Sequence, residues 1–519
     1  MGTEQAVVTR DPSPAAGADG APGHRAGAAV DASAPGAKGL KTGAISAISN
    51  VVIGVSSTAP AYSLAATLGA IVAIHGIGLY APAVLVVSFV PMVCIALGYY
   101  FMNRADPDCG TTFAWVTRAM GPQLGWLNGW VIVGADIVVM ASLSQIAGTY
   151  TFLLIGANSL ADSTVAVTIV GVLWIVAMVG ICMVGVELNA RTQSVLLAAE
   201  VTILGAFAIV ALIKGAAVHP AGYVAPSLAW IDPLHIPSFH VLTNGVLLGV
   251  FIYWGWDAGV SVNEESENSA SGPGRSAVIS TLLLVFIFVF VSIAAQSFGG
   301  PKLLADNSSD VLSALGAGVF GSGWDKLLVL AVLTSASAST QTTILPTARV
   351  TLSMARWGSI PSAFGQIHPR FLTPWFSTIT FGAVSIVWFV ALEAFSKNVL
   401  VDSVTGLGFL IAFYYAFTGL ACTIYYRRTL LRSVRNFVFA GVLPLFGFVS
   451  LGYVFVQSYL DYSKPGAGAS PPVLGIQVPI VIGIGAVALG LVLMIPAWLT
   501  YRHGYFARRP EAAAADALA

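Results

Sequence analysis

The sequence predicts an all-α integral membrane protein of twelve transmembrane helices, built as a 5+5 inverted repeat with helices 1 and 6 broken. Three observations lead there. The 519 residues are 57% hydrophobic and only 9% charged, where a soluble protein carries about 25% charged residues; mean hydropathy is +0.84. Twelve apolar segments follow one another, each near the ~20 residues that a spanning helix needs. Two of them are interrupted, and they are the first and the sixth, the same place in two five-helix halves. A half with an odd number of crossings must be inverted relative to its repeat.

Residues 1–38 are rich in Ala, Gly, Pro and Asp. They lack the apolar run of a signal peptide and read as a disordered tail. The spans are expected at 43–73, 79–101, 123–156, 164–184, 193–213, 241–262, 276–298, 327–354, 375–395, 402–426, 436–458 and 477–500. Helices one to ten fall in a core at 39–430, helices eleven and twelve in 431–503, and a second tail covers 504–519. With the N-terminus inside, every arginine falls on the inner side. The outer side keeps only Lys214, Lys302, Lys326, Lys397 and Lys464. This bias places both termini in the cytoplasm.

In lipid every backbone N–H and C=O must be satisfied internally, so each break must face protein, water or a ligand. The first lies at Val55-Ser-Ser-Thr-Ala-Pro60. Pro60 suits the first position of a new helix. Ser56, Ser57 and Thr58 stand where capping residues belong, just before Ala59. The second half-helix would then offer free N–H groups and a partial positive charge to a carboxylate. The plainer reading is a proline kink whose hydroxyls bond their own backbone.

The sixth segment carries Phe251-Ile-Tyr-Trp-Gly-Trp-Asp257 and then Gly259. An unwound turn from Gly255 to Gly259 frees the carbonyls of Ile252, Tyr253 and Trp254 to bind an ammonium group. Phe251, Tyr253, Trp254 and Trp256 form an aromatic lid with cation–π capacity, unless the tryptophans only pack.

Acids inside spans point to function. Asp257 is one, Glu200 in the fifth helix another, and Asp136 in the third a third. Glu200 is placed to load and unload a proton, or to hold a cation. The plainer reading makes each a tie between helices. In the eighth helix Ser335, Ser339 and Thr342 share one face, which serves packing equally well.

Several classes are excluded. Zero net charge suggests no nucleic-acid partner. Cys94, Cys109, Cys182 and Cys422 are scattered, with neither disulfide nor metal-ligand spacing. No phosphate loop, cofactor motif or intramembrane nucleophile–base pair is present, so an enzyme is not expected.

Three motifs occur in order. Phe251-x-Tyr-x-Gly-Trp-Asp257 is followed by Glu264-Glu265-Ser-Glu-Asn268. The inner stretch Pro107-Asp-Cys-Gly-Thr-Thr-Phe-Ala-Trp115 leads to Gly121-Pro and Gly125-Trp-x-x-Gly-Trp130. Arg349-x-x-x-x-Met-Ala-Arg-Trp-Gly-Ser-Ile-Pro361 leads to His368-Pro-Arg-Phe-x-Thr-Pro374. Together they resemble the amino acid–polyamine–organocation permease superfamily, with its LeuT-type fold, over roughly residues 40 to 430. The resemblance implies that Phe251 covers the substrate and that Asp257 serves gating or proton response. It sets Glu200 where some relatives carry a lysine in place of a sodium ion, with the charge reversed. It makes Ser335, Ser339 and Thr342 sodium-site candidates. The first break departs from the family's Gly-Ser-Gly, which affects the carboxylate-binding atoms.

The expected function is a secondary active permease in the plasma membrane for an amino acid or related amine, working by alternating access. A proton is the expected coupling ion, ahead of sodium, in symport or exchange. The alternatives are a polyamine or organocation permease, an exchanger without ion coupling, and a non-transporting nutrient sensor. The partners expected are the small-molecule substrate, the proton and the lipid bilayer.

Overall fold

A computed structural model describes residues 38–396 and 398–513. The expected tail at 1–37, the last residues 514–519 and Lys397 of the outer cations lie outside them. Among the described residues the chain is helical and forms no β-strand.

The first apolar segment is split into α1 (Ala47–Thr58) and α2 (Pro60–Ala73). Then come α3 (Ala81–Ala105), α4 (Thr112–Met120), α5 (Pro122–Ile155), α6 (Thr164–Val184) and α7 (Val186–Val218). The sixth segment gives α8 (Phe239–Ile252), a non-helical run at 253–257, and α9 (Ala258–Ser261). The remainder is α10 (Gly272–Asp306), α11 (Val311–Phe320), α12 (Lys326–Arg356), α13 (Trp375–Phe395), α14 (Val399–Tyr425), α15 (Leu443–Tyr462) and α16 (Val478–Tyr501). Side-chain caps set several starts: Ser46 accepts from Ser49 N–H, Ser238 from Val241 N–H and Asp310 from Ser313 N–H, each satisfying an orphan donor.

Eleven helices among the described residues are long and apolar enough to cross a membrane, with α1 and α2 taken together. The predicted sixth is not one of them. Its continuous apolar run does not form a continuous helix, because the chain turns at Gly255 with φ 117°. The fifth runs further than expected, since Glu187 and Arg191 are exposed on the first turns of α7 rather than ahead of it. The sequence reading also missed α4 and α11, both too short to span.

The broken helices occupy the middle of the bundle, where α1 and α2 are the most buried of the spans. They meet each other directly and run in opposite directions. A Cβ on Gly255 would lie 2.8 Å from the Ser57 carbonyl carbon and oxygen, and one on Gly259 would lie 2.5 Å from the Asn50 carbonyl oxygen. Only glycine permits this approach, and at Gly255 only glycine takes the backbone angle without strain. Thus the two irregular stretches, far apart in sequence, form one irregular centre.

Gly255→Ala is expected to lower stability by about 1–3 kcal/mol, the cost of overpacking a filled site. Gly180→Ala is the control: nothing lies within 4 Å of its added Cβ, and its effect stays within about 0.5 kcal/mol or is stabilising. Thermal unfolding in detergent checks both. An unchanged transition for Gly255→Ala contradicts the close contact of the breaks.

Candidate functional site

The first break turns on one residue. Ala59 sits at φ 50°, ψ 67° between α1 and α2, a left-handed conformation that costs a non-glycine residue free energy. Pro60 follows as the first residue of α2. The expected caps are elsewhere. Thr58 Oγ1 donates back to Gly54 C=O at 3.1 Å, and Ser56 Oγ has no partner among the described residues. Ser57 contributes its carbonyl, which accepts from Ser339 Oγ at 2.8 Å. Ser56, Ser57 and Thr58 therefore do not cap α2, whose start carries no side-chain cap.

The N–H groups at the start of α2 are already held. Ala61 N–H donates to Glu200 Oε1 at 2.7 Å, and Ser335 Oγ donates to that oxygen at 2.8 Å. Tyr62 N–H donates to Ser335 Oγ at 3.1 Å. Glu200 is fully buried, and its second oxygen, Oε2, has no partner among the described residues. A carboxylate does occupy the helix start, as the dipole favours, but it is the protein's own. The expectation that an incoming carboxylate finds these groups vacant is corrected: Glu200 projects from α7 across the break.

At the sixth segment, the carbonyls of Ile252, Tyr253 and Trp254 accept no hydrogen bond from a described residue, whereas Phe251 C=O accepts from Trp254 N–H at 3.0 Å. The four aromatics do not form one lid. Phe251 lies edge-on to Tyr62 of α2, with centroids 6.2 Å apart. Tyr253 turns to Phe288 of α10 at 5.1 Å, and Trp256 stacks on Tyr415 at 5.1 Å. Trp254 Nε1 donates to Tyr414 OH.

Asp257 is caged by phenols. Tyr415 OH donates to Oδ1 at 2.9 Å, while Tyr414 OH and Tyr99 OH donate to Oδ2 at 3.2 and 3.4 Å. Asp136 accepts from Thr347 Oγ1. The tyrosines were missed in the sequence, where an adjacent aromatic pair in an apolar run looks like packing. Only two of the three sodium-site candidates converge. Ser335 and Ser339 face the first break, but Thr342 Oγ1 bonds Ala338 C=O at 3.0 Å in its own helix.

A second polar cluster closes one end of the bundle. Lys38, assigned by sequence to a disordered tail, is buried with Nζ 2.8 Å from Asp108 Oδ1 and 2.5 Å from Glu264 Oε1. Arg349 Nε lies 2.5 Å from Glu265 Oε2. Of the acidic run after the sixth segment, Glu264 and Glu265 are thus paired and buried, and Glu267 is exposed. Burial pulls the Lys38 ammonium down, but the Asp108 and Glu264 carboxylates outweigh it and hold it above the usual lysine range. Burial pushes Asp108 up, yet Lys38 and the hydrogen bonds from Ser353 and Gly110 hold it below the usual carboxylate range. Asp106 is pushed up to about 6, by burial and then by Asp108, against the opposing pull of Arg118. Asp108, Cys109 and Glu264 bring potential metal-ligand atoms within 4.8 Å of one another, a grouping that sequence spacing did not show. The Lys38 ammonium bonds two of its three members, and burial, then the Glu264 charge, keeps the Cys109 thiol protonated.

The end of the chain packs here too. Glu511 N–H donates to Arg118 C=O at 2.6 Å and Ala513 N–H to Tyr425 C=O at 2.9 Å. Residues 504–513, expected as a tail, are therefore docked onto the bundle.

Lys38→Met strands two buried carboxylates, a loss of about 3–5 kcal/mol. Because Cys109 is fully buried beside them, the variant is expected to label at Cys109 with a thiol reagent much faster than the wild type. Equal labelling rates contradict the sealing role of Lys38.

Comparison with known proteins agrees with this architecture. The profile of a family described as amino acid permease matches residues 44–487. The chain is 26% identical over 396 residues to "Cationic amino acid transporter 4, vacuolar" of Arabidopsis thaliana, covering 71% of this chain and 61% of the relative. It is 24% identical over 336 residues to "Cationic amino acid transporter 3, mitochondrial" of the same plant, covering 61% and 52%. It is 25% identical over 306 residues to an uncharacterized transporter of Mycobacterium tuberculosis, covering 58% and 63%. The matched part thus spans between about half and two thirds of these relatives' lengths.

Proposed function

Because the chain belongs to the amino acid permease family, we propose that it is a secondary active transporter carrying a cationic amino acid or related amine together with a proton. One observation carries this reading. Glu200, Asp257 and Asp136 are buried in the bundle, and no basic side chain pairs with them among the described residues. Buried acids without a counter-charge are expensive and mark ion or substrate pathways. A cargo of cations supplies what the protein leaves out. The relatives named as cationic amino acid transporters support the same substrate class.

The geometry divides the work. The free carbonyls at Ile252, Tyr253 and Trp254 suit the α-ammonium group, and Phe251 covers it from the α2 side. Asp257 and Asp136 suit a cationic side chain. Coupling follows from competition at α2. A substrate carboxylate needs the N–H groups that Glu200 and Ser335 hold. A proton on Glu200 removes the charge that the helix start attracts and releases Ala61 N–H to the substrate. Proton and substrate then load together, and rocking of the broken-helix pair against the bundle exposes them to the other side.

Twelve crossings, with both termini on the cytoplasmic side of a plasma membrane, are part of the proposal. The arginine bias supports it. So does the meeting of Lys38 and Glu511 at residues 106–118, since the flanks of the first and last spans on one face imply an even count. A second reading, coupling to sodium, is favoured by the oxygens of Glu200, Ser335, Ser339 and Ser57 around the first break. Polyamine transport would use the acids and leave the N–H groups of α2 to Glu200.

Uptake into proteoliposomes distinguishes these. Labelled lysine or arginine is expected to accumulate under an inward pH gradient without sodium, ahead of neutral amino acids and polyamines. Glu200→Gln is expected to abolish gradient-driven accumulation while keeping exchange. Asp257→Asn is expected to weaken cationic substrates about tenfold, the loss of one charge-assisted contact. Sodium-dependent uptake, or coupled uptake by Glu200→Gln, rules out the proton mechanism.

A further inference from the structure

A cavity of about 350 Å³ lies between the start of α7, the segment leading into α1, and the loop after α12. Its walls carry Lys41, Arg191 and Arg370 from three separate parts of the chain, against one carboxylate, Glu187. A second, shallower groove of about 320 Å³ shares Arg191 and continues along α7 over Thr192, Val195 and Leu196. We propose that the pair forms a binding site for one anionic phospholipid, with its phosphate among the three cations and an acyl chain along α7.

The charges are available for such a ligand. No acid pairs with Arg191 or Arg370 among the described residues. Lys41 Nζ is 2.8 Å from Glu187, but both side chains are about half exposed, at 47% and 50%, and such pairs contribute little. A phosphate therefore displaces Glu187 at small cost and gains two guanidinium forks, whose geometry matches it.

The cavity is also built rather than incidental. Thr373 Oγ1 donates to Met183 C=O at 2.9 Å, tying the loop after α12 to the end of α6. His368 Nδ1 accepts from Arg370 N–H and Phe371 N–H, each at 3.2 Å. The Arg370 guanidinium stands over the Phe371 ring at 5.5 Å. Along α7, Leu188, Thr192, Val195 and Leu196 fall on one helical face. Leu188 and Val195 are exposed there, as is Val184 at the end of α6. Positive charge at the end of a membrane helix, above an exposed apolar stripe on the same helix, fits a lipid and not a free anion. Basic pockets of this kind between spanning helices take anionic headgroups.

The site also has a reach. Lys41 lies three residues after the buried Lys38, and Arg191 is on the helix that carries Glu200. A lipid bridging them ties the sealed end of the bundle to the coupling helix.

The test compares full-length protein in phosphatidylcholine nanodiscs with and without phosphatidylglycerol. It reads thermal unfolding, and retained lipid by native mass spectrometry. Phosphatidylglycerol is expected to raise the unfolding temperature and to be retained, while inorganic phosphate added to phosphatidylcholine discs does neither. Arg191→Gln with Arg370→Gln is expected to weaken retention about fivefold per cation removed. Arg191→Lys with Arg370→Lys keeps most of it, and Arg427→Gln with Arg428→Gln behaves as wild type. If the glutamine variant does not fold, the wild type alone decides, since indifference between the two lipids overturns the site. Undiminished retention by the glutamine variant overturns it, as does an equal shift with inorganic phosphate.

Discussion

Where the backbone turns at Ala59, the first N–H groups of α2 lose their helical partners in the middle of an apolar bundle. Something must accept from them, because no water is guaranteed at that depth. Glu200 does so through Ala61, and Ser335 does so through Tyr62. The rest of the centre follows from this. Ser335 ties α12 to the break, Ser339 ties it to the Ser57 carbonyl, and Gly255 lets the second break rest on that same residue. A carboxylate in this position completes the structure, and under the proposed function it also stands where a substrate's own carboxylate would bind. A structural need and the proposed coupling step thus fall on one side chain.

The two ends of the molecule are held by different chemistry. Near the centre, acids are met by hydroxyls, phenols and backbone N–H groups, never by a described lysine or arginine. At the sealed end, acids meet cations: Lys38 with Asp108 and Glu264, Arg349 with Glu265, Arg118 with Asp106 and Glu511. Ion pairs hold one arrangement firmly because breaking a buried one strands a charge. Neutral donors around a carboxylate leave its charge to be compensated by whatever cation arrives. Ion pairs suit a gate, and neutral donors around an acid suit a site.

Much of this was legible in the sequence. Proline after a run of hydroxyls and glycines beside an acid marked both breaks, because lipid forbids irregular backbone without a purpose. Glu200, Asp257 and Asp136 stood out as charges in apolar runs. What could not be read was pairing across the bundle. Nothing local to Glu200 says that it reaches Ala61, and nothing near Tyr414 and Tyr415 says that they face Asp257. Lys38 was lost for a related reason. It follows a stretch of Ala, Gly and Pro, and only the loop carrying Asp108 reveals why it is buried. The family profile places the chain among amino acid permeases but does not locate these contacts.

The central claim is that Glu200 and the substrate carboxylate contend for the N–H groups of α2. The most direct test is the pH dependence of equilibrium binding to purified protein for two ligands, lysine and its decarboxylated counterpart cadaverine. Both keep their ammonium groups over the acidic to neutral range, and only lysine has a carboxylate to place at α2. The account predicts that lysine binds more tightly as pH falls, that cadaverine does not, and that Glu200→Gln removes the difference in slope. Parallel pH dependences for the two ligands in the wild type would contradict it.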